Sequence, residues 1–218
     1  MSSIPQTNTK IKVVGCKINN IELGLCCINN KLRKNKPNSI FSNRTCRLKT
    51  AHEKGLKYIQ SLVILNLQDV LKMITWNYLK GIKTFRLSSF IFPHISNHRF
   101  TCHESVEGGL RYKLDFAKDL LMKIGCKAKR YGQRLSAHPG HFNQIGTKSE
   151  TVLKNTFLDL KYHNDVFDII ETNLDIKENR AILCIHGGGI YNDKEQTMER
   201  FCNNFNKLDH KIKSRICI

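Results

Sequence analysis

Short apolar runs alternate with longer stretches of helical spacing along this chain. The first run, IELGLCCIN (21–29), follows a turn-like Asn-Asn pair and reads as a strand. From about Ala51, a helix is predicted with Leu56, Ile59, Leu62, Val63, Leu67, Val70, Leu71 and Ile74 on one apolar face. GIKTFRLSS (81–89) opens on a glycine turn and then alternates, a second strand. A second helix is predicted from Leu110 to Tyr131, with Leu114, Ala117, Leu120, Leu121 and Ile124 inward. QRLSAHP is a third strand, and TKSETVLKNTFLDLKYHNDVFDII a third helix, opened by a capping box on Ser149 or Thr147. RAILCIHGGG (180–189) is apolar up to His186, as expected of a strand buried on both faces. NDKEQTMERFCNNFNKL sets Met198, Phe201, Cys202 and Phe205 on one helical side, and KSRICI begins a fifth strand.

Strands alternating with helices, joined by connections suited to right-handed crossovers, predict an α/β fold around a parallel sheet. The sheet is either doubly wound or a partial (β/α) TIM-like barrel of about four and a half β/α units out of eight. Residues 1–20 are expected to form a frayed tail, and 21–218 the barrel portion. As a barrel it is open, with an exposed strand edge, so a C-terminally truncated and poorly soluble chain is expected.

Charge changes the picture. The chain carries 36 Lys and Arg against 18 Asp and Glu, a formal +18 in 218 residues. Such an excess points to a polyanionic partner, nucleic acid first, with a generally basic, lysine-rich composition as the alternative. Nine cysteines are an odd number, none forms a CxxC pair, and no signal peptide is recognised. Reduced thiols in an intracellular protein are expected. No apolar run reaches the length of a membrane span.

Candidate chemistry lies at the carboxyl ends of the strands, where parallel α/β folds gather functional groups. His94 follows the second strand, His138 the third and His186 the fourth, so three histidines are expected on one rim as metal ligands. A lone histidine there is more often a turn or packing residue; three in succession favour a metal. Imidazoles alone suit zinc, manganese or iron, and no carboxylate sits at the first four strand ends. Any acids of the site are therefore expected from later strands. HGGGIYNDK (186–194) has neither GxGxxG nor P-loop spacing, so its glycines read as a tight turn. Lys194, at a helix start that favours anions, fits a phosphate contact. The loop NNKLRKNKPNSIFSNRTCRLKT carries Arg44 and Arg47 among its cations and suits a phosphate backbone. His141 and Phe142, after the Pro-Gly turn, form a pair able to wedge beside a base or to plug the barrel mouth.

LGLCCINNKLRK, SNRTCRL, WNYLKGIKTFRLSS with FPH, RLSAHPGHFNQIGT, DLKYH and HGGGIYNDKEQTMERFCNNFNKL together resemble the UV-damage endonuclease family, from about Ile21 to Ile218. The resemblance implies a TIM-like barrel with a cluster of divalent, manganese-like metal ions at its mouth. It also implies a nick immediately 5′ to a UV photoproduct in double-stranded DNA, opening an excision repair route. His138 and His186 correspond to metal ligands of the family. A further ligand comes from the loop after the second strand; its slot falls near Asn97, flanked by His94 and His98, and His94 is favoured. The two residues after HPG probe the lesion in the family, usually glutamine then an aromatic; here they are His141 and Phe142. Leu25 stands where a tyrosine usually precedes the cysteine pair, and Asn29 matches the motif's asparagine. The DNA-contact set thus expected is Asn29, Arg44, Arg47, His141, Phe142 and Lys194. Past Ile218 the family pattern continues into a glutamate ligand, so the catalytic carboxylates are expected beyond this residue, on a continuation or a separate chain supplying the missing half. Two other readings stand beside a metal-dependent endonuclease: an inactive remnant that binds DNA weakly or not at all, and a metal-dependent sugar isomerase on a similar barrel. The HPG and HGGG blocks and the basic charge weigh against the isomerase.

Overall fold

The computed structural model describes residues 21–102, 106, 108–175 and 180–218. The tail expected at 1–20 lies outside the described residues. Five parallel strands, β1 (Gly24–Cys26), β2 (Thr84–Leu87), β3 (Arg134–Ala137), β4 (Ile182–Cys184) and β5 (Ile216–Cys217), pair in the order β1-β2-β3-β4-β5. A doubly wound sheet reverses its strand order at a switch point. This order never reverses, so the sheet is the wall of a partial (β/α) barrel, and the open alternative set out above is resolved in favour of the barrel.

Helices α1 (Asn30–Arg33), α2 (Leu48–Leu79), α3 (Lys118–Arg130), α4 (Glu150–Ile170), α5 (Lys194–Asn206) and α6 (His210–Lys213) complete the fold. The second helix runs through a break at Gly55, whose φ of 71° no continuous helix contains. Register fixes the two faces of the sheet. Leu25, Phe85 and Leu135 form one aligned row, and Leu87, Ala137, Leu183 and Ile216 the next. These rows pack on the helices: Phe85 and Leu183 are fully buried beside Val63, Leu67, Leu121 and Phe167. The opposite face carries Cys26, Arg86, Ser136 and Ile182 in one row, and Cys184 beside Cys217. On β4 only Leu183 is buried, while Ile182 and Cys184 are half-buried. The expectation of a fourth strand buried on both faces is therefore corrected: its concave side is open among the described residues.

Local chemistry sets the element ends. Ser149 caps α4, its Oγ accepting from the Val152 amide at 3.3 Å, and Asp193 caps α5 by accepting from the Gln196 amide at 2.8 Å. The helix expected from Leu110 starts only at Lys118, after a 3-10 turn at Asp115–Ala117. Its first residues are tethered elsewhere: the Arg111 amide donates to Ile95 O at 2.9 Å, and the buried Tyr112 hydroxyl donates to Pro93 O at 2.8 Å. Gly125 permits α3 to touch α4, because a Cβ there would stand 1.8 Å from the Ile170 carbonyl oxygen.

Candidate functional site

His138 follows β3 directly, and His186 follows β4 after Ile185. Parallel pairing brings their rings together, with centroids 4.5 Å apart and planes inclined at 56°. Nδ1 of His138 lies 2.6 Å from Cys184 O, so it carries the proton and donates, which leaves the Nε2 lone pair available. A backbone carbonyl holding the second nitrogen is the usual way a ligating imidazole is oriented. Ser89 steadies the same turn, its hydroxyl donating to His138 O at 2.7 Å.

His94 does not join this pair. It lies in the loop after β2 with φ at 60°, and its Nε2 donates to Cys46 O at 2.9 Å. Asn97 Nδ2 donates to its Nδ1 at 3.3 Å, so both ring nitrogens are committed. The convergence of three histidines expected from the strand ends is thus replaced by a pair, because His94 spends its nitrogens holding its own loop to residue 46. Asn97 orients His94, and His98 is exposed. Two imidazole nitrogens suit a borderline divalent cation but fall short of a full donor set. Among the described residues no group of three His, Cys, Asp or Glu side chains converges to complete it. The residues present therefore do not by themselves build the expected metal cluster.

A cavity of about 580 Å³ opens beside the pair, lined by Cys27, Arg86, Ser88, His94, His138 and Phe142 among others. Phe142 is 59% exposed at its lip, and its ring meets His141 edge-on with centroids 6.2 Å apart. Gly140 makes this placement possible: a Cβ there would stand 2.3 Å from the Phe142 ring. The Pro-Gly bend therefore seats the aromatic on bare backbone while its outer face stays in solvent.

Four residues that sequence reasoning passed over hold these rim loops together. The Asp159 carboxylate accepts from Ser96 Oγ at 2.7 Å and from Asn143 Nδ2 at 2.8 Å, joining the loops after β2 and β3. Gln144 joins the loops after β3 and β4. Its Oε1 accepts from the Gly189 amide at 3.2 Å and from the Tyr191 hydroxyl, and its Nε2 donates to His141 O at 3.1 Å. Gly188, at φ 89°, leaves room for that amide, since a Cβ would lie 3.1 Å from Gln144 Oε1. Asn143, Gln144 and Asp159 lie inside the RLSAHPGHFNQIGT and DLKYH blocks, but their linking role emerges only from contacts across the rim.

The expected DNA contacts divide into committed and free groups. Arg44 is committed: its guanidinium meets Asp69 at 2.6 Å, lies over the Phe41 ring at 3.9 Å and donates to Phe41 O. Burial alone would raise the Asp69 acid, but Lys72, Arg44 and the Phe41 amide outweigh it and hold the carboxyl below its usual range. The reading of Arg44 as an outward phosphate contact is corrected accordingly, because its charge locks the basic loop onto α2. Asn29 is buried, its Oδ1 capping α1 by accepting from the Leu32 amide at 3.0 Å, while its buried Nδ2 has no partner. Arg47, His141 and Lys194 are exposed. Lys194 directly follows Asp193, whose carboxylate already fills the anion-seeking end of α5. No helix among the described residues is long and apolar enough to cross a membrane.

Comparison with known proteins decides the family. Residues 21–218 match the family described as UV-endonuclease UvdE. The chain belongs to this family. A protein of Acanthamoeba polyphaga mimivirus is 38% identical over 201 residues, covering 92% of this chain and 57% of that protein. The UV-damage endonuclease of Schizosaccharomyces pombe is 33% identical over 196 residues, covering 90% of this chain and 31% of that enzyme. The crystal structure of SacUVDE superposes with a TM-score of 0.73 at 26% identity, covering 91% of this chain and 60% of that one. The chain thus spans between about a third and three fifths of these UvdE relatives, on the stretch that carries the HPG and HGGG rim blocks.

Proposed function

We propose that this UvdE chain recognises UV photoproducts in duplex DNA and nicks the strand immediately 5′ to them in excision repair, using divalent cations such as manganese. The observation that carries the reading is the His138–His186 pair, set beside the exposed His141–Phe142 turn on one barrel rim. Nε2 of His138, freed by the Nδ1 bond to Cys184 O, and the exposed His186 ring are the nitrogens offered to a metal ion. A cation held by these two nitrogens together with further donors would supply charge neutralisation at the phosphodiester and would acidify a bound water. His94 contributes only if its ring leaves Cys46 and Asn97. Phe142 enters a base stack already loosened by the photoproduct, where unstacking costs least. Arg47 and Lys194 meet the backbone, and the net charge of +18 draws the polyanion in.

A second reading, DNA binding without cleavage, is favoured by one observation: no third His, Cys, Asp or Glu side chain joins the histidine pair among the described residues. UV-irradiated supercoiled plasmid separates the two. With the chain and Mn²⁺, irradiated plasmid is expected to relax while unirradiated plasmid stays supercoiled. Irradiated plasmid that is retarded on a gel yet stays intact in Mn²⁺, Mg²⁺ and Zn²⁺ refutes nicking and leaves binding alone.

A further inference from the structure

The arginines of this chain divide by what holds them. Arg215 is buried and meets Asp168 at 2.7 Å and Glu171 at 2.6 Å. Arg44 meets Asp69, and Arg180 lies 3.8 Å from Glu171. Arg200 donates to Gly146 O at 3.0 Å, and Arg134 to Arg180 O at 3.3 Å. Arg86 is half-buried as well, yet among the described residues no hydrogen bond or ion pair holds its guanidinium. Its guanidinium nitrogens are not buried, so they stand open to solvent and are available to an anion.

Its position says which anion. Arg86 lies on the open concave row of the sheet, in register with Ser136, two residues before His138 on the neighbouring strand. Residues two apart on a strand share a face and are separated by roughly 7 Å. Arg86 and His138 accordingly line the same cavity, together with Ser88. Its charge is felt at the mouth: burial raises the Cys27 thiol, and Arg86 works against that rise.

Resting on the DNA-nicking reading above, we propose that Arg86 is a phosphate-binding residue, gripping the phosphodiester to be cut on the cavity floor beside His138. A planar guanidinium matches two phosphate oxygens at once, which a lysine does not. It would hold the group against the histidine pair and stabilise charge developing on the non-bridging oxygens.

The test uses the full chain, the dinucleotide TpT as a single-phosphodiester probe, and the variants R86M and R86K. TpT is expected to shift the His138 imidazole NMR signals in the wild type and R86K, and to leave them unmoved in R86M. In nicking of UV-irradiated DNA, R86M is expected to lower the rate at saturating DNA about 100-fold, the scale of losing one preorganised donor. Its affinity should stay within about threefold, because most DNA affinity comes from distributed backbone charge. Added guanidinium should restore part of the R86M rate, which a purely structural arginine does not permit. Equal TpT shifts in R86M, no TpT shift in the wild type, or wild-type nicking by R86M overturns the proposal. A lowered melting temperature in R86M with an unchanged TpT response also overturns it, and leaves Arg86 a structural role alone. An Arg86-dependent TpT shift in a chain that cuts no DNA supports the phosphate site and refutes the nicking reading alone.

Discussion

Asp69 offers the sharpest handle on how the basic loop is held against the barrel. Its carboxylate is 5% exposed and takes three partners: the Arg44 guanidinium at 2.6 Å, Lys72 at 2.8 Å and the Phe41 amide at 3.2 Å. Consider Asp69→Asn, which keeps the shape and one acceptor but removes the charge. Lys72 is 58% exposed, so its loss contributes no more than about 1 kcal/mol. Arg44 is only 18% exposed, and stripping a buried charge of its partner costs about 3–5 kcal/mol. The exposed fraction and the retained amide oxygen lower this, so about 2–3 kcal/mol is the expected total. For a chain of this size that is a fall in Tm of roughly 5–10 °C. The pH dependence has a definite sign. The folded acid lies below its unfolded value of about 3.9, so its stabilisation is complete above that value and is lost as pH falls through the folded one. Thermal unfolding followed by circular dichroism should show the full gap between wild type and D69N at neutral pH and a shrinking gap below about pH 4. A gap under about 2 °C at neutral pH, or one that persists undiminished in acid, refutes the reasoning.

Further consequences follow from close contacts. Gly125→Ala drives a methyl into the Ile170 carbonyl oxygen, so α3 and α4 must separate; overpacking of this kind costs about 1–3 kcal/mol or more, and a lowered urea midpoint checks it. Gly140→Ala displaces the Phe142 ring while leaving the core alone. It should weaken affinity for UV-irradiated duplex by about tenfold, read by fluorescence anisotropy, with Tm within about 2 °C of wild type. Gln144→Leu cuts the link between the loops after β3 and β4, leaving Gly189, Tyr191 and His141 O without that partner. Faster amide hydrogen exchange across residues 187–191 should report it, while exchange in β3 stays slow.

Much of the barrel is legible in the sequence because each strand carries its face in its alternation. Phe85 and Leu87 point to the helices while Thr84 and Arg86 point away, and the same alternation in β3 aligns Leu135 and Ala137 with them. Caps at Ser149 and before Lys194 are equally local signals. What escaped is non-local. Arg44 finds Asp69 across 25 residues and His94 finds Cys46 across 48, and no spacing rule foretells either. The start of α3 slipped because Tyr112 prefers Pro93 to a helical turn, a choice made by tertiary burial. Asp159 and Gln144 lie in the DLKYH and RLSAHPGHFNQIGT blocks, but nothing in the spacing shows that three loops meet on them. Arg86 had a signal: a cation on the inward row of a strand whose outward row is buried and apolar.

The most direct test of the central claim uses a duplex oligonucleotide with one cyclobutane thymine dimer, 5′-labelled on the damaged strand. In Mn²⁺ the chain is predicted to yield a single labelled product ending immediately 5′ to the dimer, and His138→Ala to yield none. An intact strand, or the same product from the His138→Ala variant, contradicts it.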